Sequence, residues 1–200
     1  MTEPVNPNPP GGPQLPLVRD AYTNQYINQL GRQIAAQADP RGISYTFYII
    51  NADVLGAFSI PGGYVYVNRG LIERSDNVSQ LAGVLAHEIG HVVERHGDDR
   101  SAQTEREADH GALIFAMRSG YNPAGLVRFL EKVQALREQT PRKVEQWLAA
   151  HPITKERLQT IEAVIAATPG AQSPKLVTDT PEFQNFRDRL RTVTPPAEDR

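Results

Sequence analysis

The stretch LAGVLAHEIGHVVERHG carries His87, Glu88 and His91 within a run that is otherwise largely apolar. Leu81, Ala82, Val84, Leu85 and Ala86 before the pair, with Val92 and Val93 after it, mark a helix destined for the interior. Four residues carry an α-helix about 40° beyond a full turn, so His87 and His91 project from one face, one turn apart. Two imidazoles so placed can share one Zn²⁺ at about 2.0–2.1 Å each. Glu88 is rotated about 100° from His87. It flanks such an ion without binding it, placed to take a proton from water that the metal activates. The competing explanation is a surface helix with scattered polar residues. The apolar neighbours argue against it, because two histidines and a carboxylate in a core need a partner.

A catalytic zinc takes three protein ligands and keeps one position open. In the metzincin arrangement, glycine and histidine follow the second histidine by three and six residues. Glu94 and Gly97 stand there instead, so the third ligand lies elsewhere. His96 is turned about 140° from His91 and reads as a helix-end residue. The segment TEREADHG supplies carboxylates: Glu105 and Asp109, four apart, share a face, while Glu107 points about 200° from Glu105. If the chain turns at Gly97-Asp98-Asp99 into an antiparallel hairpin, His91 and Glu105 each lie seven residues from 98, and His87 and Asp109 each eleven. Glu105 then arrives opposite His91 as a ligand. Asp109 arrives at His87, where a carboxylate holds the second ring nitrogen and fixes the tautomer. The alternative for this segment is a charged helix start with Thr104 and Glu107 as a capping box. His110, about 140° from Glu105, is read as structural.

Several elements must position these groups. Residues 1–16 are rich in Pro, Gly and Asn and read as a disordered lead-in. Helical spacing of apolar residues begins at Leu17 and runs to about Gln37. Ile43–Ile50 is β-branched and aromatic, the composition of a strand, and two shorter strands are expected at Ala57–Ser59 and Tyr64–Asn68 around Pro61-Gly62-Gly63. A helix from about Asn77 to His96 stops at Gly97, and a second runs from Ser101 or Ala102 to before Gly120. A third opens on Asn122-Pro123 and continues to about Glu138. Arg142–Ala149 and Lys155–Ala167 complete a domain over 17–168, and the tail 169–200 holds one short helix near Glu182–Leu190. The fold class is α+β, mostly helical with a small sheet.

Composition narrows the function. A net charge of −2 and a pI near 6.2 exclude a basic phosphate-binding surface, hence a nucleic-acid partner. No apolar run approaches the roughly 18 residues of a transmembrane helix. The opening residues show neither the basic start nor the apolar core of a secretory signal. Without cysteine, a transition metal must be held by imidazole and carboxylate.

Four ordered segments resemble the HtpX- and BepA-like zinc metallopeptidases, which also include the CAAX prenyl proteases. They are GAFSIPGGYVYVNRGLIE, LAGVLAHEIGHVVERH, EREADHGALIFAMRSGYNP and AAHPITKER, spanning roughly 43–165. The resemblance implies a zincin-like fold and an endopeptidase acting on unfolded or extended polypeptides. Within it, Glu105 matches the third zinc ligand and Asp109 the carboxylate behind the histidine. It also implies site roles for His151, stabilising the tetrahedral intermediate or capping the metal in a latent state, and for Arg157, either donating to an oxyanion or pairing with a structural carboxylate. Gly56, Ala57, Phe58 and Ser59 match an edge strand on which substrate adds as a further strand. A latent-site chaperone that holds clients on that edge is the alternative function. The implied location is the periplasm or cell envelope if a signal has been removed, and the cytoplasm otherwise. Many members carry a longer segment between the second histidine and the glutamate; here thirteen residues intervene.

Overall fold

The computed structural model describes residues 14–95 and 101–193. Residues 1–13, His96 and the expected turn at Gly97-Asp98-Asp99 lie outside the described residues.

Helix α1 (Ala21–Ala38) begins four residues later than its apolar spacing suggests, because Asp20 caps it by accepting from Thr23 N–H. Leu17 instead bridges to Ile50 in antiparallel fashion, with Val18 N–H donating to the Ile49 carbonyl. Three strands follow: β1 (Thr46–Ile50), β2 (Ala57–Ile60) and β3 (Tyr64–Asn68). The strand read as Ile43–Ile50 is therefore shorter, its first residues turning in from α1. The sheet order is β1-β3-β2, with β1 parallel and β2 antiparallel to β3. Among the described residues no strand pairs with the outer side of β2.

A short helix α2 (Arg69–Arg74) follows β3. Six residues are too few for periodicity to declare, and Asn68 gives it no side-chain cap. It forms in tertiary context, with Gly70 N–H donating to the Ala52 carbonyl. Helix α3 (Val78–Val93) is buried without interruption from Val78 to His91, as a central helix must be. Asn77 caps its start through Gln80 N–H. Its end comes before the expected His96: Val93 is the last helical residue, Glu94 is the C-cap and Arg95 turns left-handed at φ 58°, the role expected of Gly97.

Helix α4 (Ala102–Arg118) is capped by Ser101, which accepts from Thr104 N–H, so the capping box at Thr104 and Glu107 is not the device used. Helix α5 (Ala124–Gln139) follows Asn122-Pro123, with Asn122 Oδ1 accepting from Ala124 N–H. Helices α6 (Pro141–Ala150) and α7 (Lys155–Ala167) lie where the sequence indicates them. The last, α8 (Pro181–Val193), buries Phe183, Phe186 and Leu190 in the same core that α1 and α3 enter. Phe186 stacks on Tyr26 of α1 with ring centroids 4.3 Å apart.

The architecture is thus α+β and mostly helical: α3 runs through the centre, the sheet covers one side, and α4 and α5 pack beside it. Gly90 sets the α3–α4 spacing, since a Cβ there would lie 3.2 Å from the Ala108 backbone. That close approach brings the paired faces of α3 and α4 within side-chain reach. Among the described residues, no helix is long and apolar enough to cross a membrane.

Candidate metal centre

His87 and His91 lie in the buried C-terminal half of α3, and Glu105 and Asp109 in the first turns of α4. All four are at most 3% exposed. The Nε2 atoms of His87 and His91 are 3.1 Å apart. Glu105 Oε1 lies 3.2 Å from His91 Nε2, and Oε2 lies 3.5 Å from His87 Nε2. Tetrahedral ligands each about 2.0–2.1 Å from one ion stand about 3.3 Å from each other, so these separations fit a single metal.

Hydrogen bonding points the same way. Neither Glu105 oxygen accepts a well-formed hydrogen bond from the protein, although Arg157 Nη1 approaches Oε2 at 2.9 Å. Buried carboxylate and imidazole atoms that converge without well-formed hydrogen bonds suit a cation.

On its other side the His87 ring meets Asp109, with Nδ1 3.0 Å from Oδ1. A carboxylate there orients the ring and leaves Nε2 for a metal. Burial favours the neutral ring, but Asp109 and Glu105 outweigh it and push the His87 pKa up to about 9. Burial likewise favours neutral Glu105 and Asp109. For Glu105 the two histidines reverse this, and for Asp109 His87 and Arg157 do, so both carboxyls lie below the usual range.

Glu88 is completely buried, with Oε1 3.4 Å from His151 Nε2 and Oε2 accepting from Ser59 Oγ at 3.4 Å. Burial raises its pKa. The neighbouring His151, with His87 and His91, more than offsets this and holds it at about 2, so the group is an ionised carboxylate at neutral pH.

His151 closes the α6 end and is 1% exposed. Its Nδ1 is 3.3 Å from the Trp147 carbonyl, and its Nε2 faces Glu88 Oε1. Ligand atoms of His87, His91, Glu105 and His151 all lie within 4.8 Å of one another. Trp147, which sequence reasoning did not single out, stacks beneath His151 at 4.8 Å and 23°. Its signal was present: the only tryptophan of the chain stands four residues before that histidine, on the same helical face.

Arg157 is engaged on all sides. Its Nε and Nη2 donate to the two Asp109 oxygens at 2.7 and 2.8 Å, and Nη1 donates to the Pro152 carbonyl at 2.9 Å beside Glu105. Of the two roles weighed for it, these contacts are of the carboxylate-pairing kind. His110 is exposed. Ala57, Phe58 and Ser59 lie on β2, with Gly56 just before it, and Ser59 Oγ reaches the Glu88 carbonyl at 3.2 Å. The outer strand of the sheet therefore runs beside α3.

A central helix presenting two histidines and a glutamate, an acidic residue from the next helix and a small sheet alongside define a zincin-like metallopeptidase. The chain belongs to peptidase family M48, whose model matches residues 21–103 and 98–165. It is 31% identical to the beta-barrel assembly-enhancing protease of Escherichia coli (strain K12) over 72% of this chain and 39% of that protein. It is 40% identical to a putative beta-barrel assembly-enhancing protease of Vibrio cholerae over 40% of this chain and 17% of that protein. The mitochondrial metalloendopeptidase OMA1 of Schizosaccharomyces pombe is 24% identical over 83% of this chain and 60% of that protein. The chain thus spans well under half the length of these bacterial relatives. The M48 family is a family of metal-dependent peptidases.

Proposed function

We propose that the chain is a zinc-dependent endopeptidase that hydrolyses unfolded or extended polypeptides, with the ion held by His87, His91 and Glu105. The observation that carries this reading is the convergence of those three ligands beside a buried, ionised Glu88. Zinc suits the donor set, two imidazoles and one carboxylate with no thiolate. Bound there, it supplies Lewis-acid activation of water and of the scissile carbonyl. Glu88 takes the proton from the attacking water and delivers it to the leaving amine. Asp109 keeps the His87 ring oriented, and Arg157 holds Asp109 and Glu105 in place. Substrate adds to the outer edge of β2 along Gly56–Ser59 by main-chain hydrogen bonds, which tolerates varied sequences. The names of the bacterial relatives suggest proteins awaiting β-barrel assembly as clients.

Metal analysis of the purified protein should find one zinc per chain. Chelation should abolish peptide hydrolysis and lower Tm, because an ion that binds only the folded state stabilises it, and added zinc should restore both. With its pKa raised to about 9, His87 carries a proton at neutral pH in the metal-free chain, and the metal must displace it. Zinc affinity should therefore fall as pH is lowered from 8 to 6. Undiminished hydrolysis in the metal-free protein would overturn the proposal.

The position of His151 favours a second reading, in which its Nε2 takes the fourth position and the site is latent. Clients would then be held on β2 rather than cut. In that case His151→Ala should hydrolyse casein at least tenfold faster than the parent chain at equal zinc content. Slower hydrolysis would assign His151 to the reaction itself, and absence of cleavage by both zinc-loaded forms would favour the holding role.

A further inference from the structure

The cavity between the β2–β3 turn and the C-terminal end of α3 has no part in the chemistry above. It measures about 370 Å³, within the usual range for ligand sites. Its inner end is formed by Ser59, which bonds Glu88, and by His91, a proposed ligand. Its walls are apolar: Ile43, Ile60 and Pro61 on the sheet side and Val92 on the helix side. Gly63 locks the sheet-side wall, since a Cβ there would stand 2.8 Å from the Ser44 carbonyl oxygen and 2.9 Å from Ile43 Cγ2.

The rim is cationic. Arg41 is clamped by Asp39 through two bonds of 2.7 Å, and its Nη2 also donates to the Val92 carbonyl at 3.2 Å, tying the rim to the end of α3. Arg95, exposed and left-handed at φ 58°, stands at the same mouth and has no ionic partner among the described residues. A strand laid on β2 with its scissile bond at Glu88 therefore has this cavity beside it, one or two residues along.

We infer that this cavity is the subsite for one substrate side chain next to the cleaved bond, accepting a bulky apolar residue and rejecting a basic one. The inference rests on the endopeptidase reading for its occupant. Apart from Ser59 and His91 at its inner end, its lining lies away from the groups that hold metal or move protons, so specificity can be changed at Ile43, Ile60 and Arg95 without touching them. Arg95, the cation at the mouth without an ionic partner among the described residues, repels lysine and arginine, while an aliphatic or aromatic group buries against Ile43, Ile60 and Val92.

The test uses zinc-loaded full chain and a peptide set varied between Leu, Phe, Gly and Lys at each position flanking the cleaved bond. The wild type should favour Leu or Phe over Gly by tenfold or more in kcat/KM at one position, and disfavour Lys there. Ile60→Trp, which fills the cavity, should reduce that Leu-to-Gly ratio at least tenfold. Ile43→Ala, which enlarges it, should shift the preference toward Phe, and Arg95→Glu should raise Lys relative to Gly severalfold. Equilibrium binding of the same peptides to zinc-loaded Glu88→Gln, with and without Ile60→Trp, gives a readout that needs no hydrolysis. Cleavage with one unchanged profile in all variants overturns the subsite and leaves the peptidase standing. No cleavage, but a binding preference that Ile60→Trp removes, overturns the peptidase and leaves the subsite. Neither cleavage nor selective binding overturns both.

Discussion

Glu88→Gln is expected to keep one zinc per chain and to lose about 10²–10⁴-fold in kcat, the usual share of a general acid–base group. The substitution changes almost nothing in shape. Glu88 is wholly buried on α3, and its contact with Ser59 Oγ can be kept by the amide oxygen. What the amide cannot do is accept a proton from water and return it to an amine. KM should move little, because the β2 edge and the three ligands are untouched. Metal content and kcat/KM measured on the same preparation separate loss of the base from loss of the ion. A Glu88→Gln chain that retains its zinc and hydrolyses at the parent rate would end the mechanism.

The second large effect is structural. Arg157→Ala should destabilise the fold by about 3 kcal/mol or more, because removing one partner of a buried ion pair strands the other. Arg157 is 8% exposed and Asp109 is 3% exposed, and two of the guanidinium nitrogens sit on that one carboxylate. Burial by itself would lower the Arg157 pKa. The Asp109 and Glu105 carboxylates more than compensate, so its charge is built into the site. Zinc affinity should weaken with it, since Glu105 and Asp109 both lose their anchor. Arg157→Lys should restore only part of the loss, as an ammonium cannot reproduce the two-pronged contact. Urea denaturation of metal-free and zinc-loaded forms, with a zinc titration, reads these effects. Unchanged stability and zinc affinity with a fall confined to kcat would instead make Arg157 an oxyanion donor.

The site was legible to different depths. His87, Glu88 and His91 sit on one helix, where spacing translates directly into direction, so the shared face of the two histidines and the flanking place of Glu88 follow from 3.6 residues per turn. Glu105 and Asp109 needed one further assumption, a hairpin of matched levels, and the structure brings them to 3.2 and 3.0 Å of His91 and His87. Long-range neighbours are harder. Ser59 on Glu88 and Arg157 on Asp109 each join segments whose contact no local period encodes. For Arg157 the residues left two roles equal, and its contacts with carboxylates are visible only in the structure.

Element boundaries show the same division. Leu17 fits the helical period of α1, yet Val18 pairs with Ile49 and Asp20 starts the helix. Apolar spacing alone could not tell a helical turn from a strand-like pair at that point. Helix α3 likewise ends at Val93 with Arg95 left-handed, although Gly97 is the residue intrinsic preference would choose. The helix α8, read as part of a tail, buries Phe183, Phe186 and Leu190 against a core supplied by distant segments.

What the sequence alone determined is the chemistry carried by helices: two imidazoles and a carboxylate aligned by a fixed pitch, with a cysteine-free donor set. Only the tertiary structure decided which side chains face that group from elsewhere. Those contacts depend on how closely helices and sheet can approach, and the approach is set by packing of the small Gly90 against Ala108 and of the β2–β3 turn against Ile43. Pitch is a property of the backbone and can be read along the chain, whereas approach is a property of pairs of surfaces and exists only once they meet.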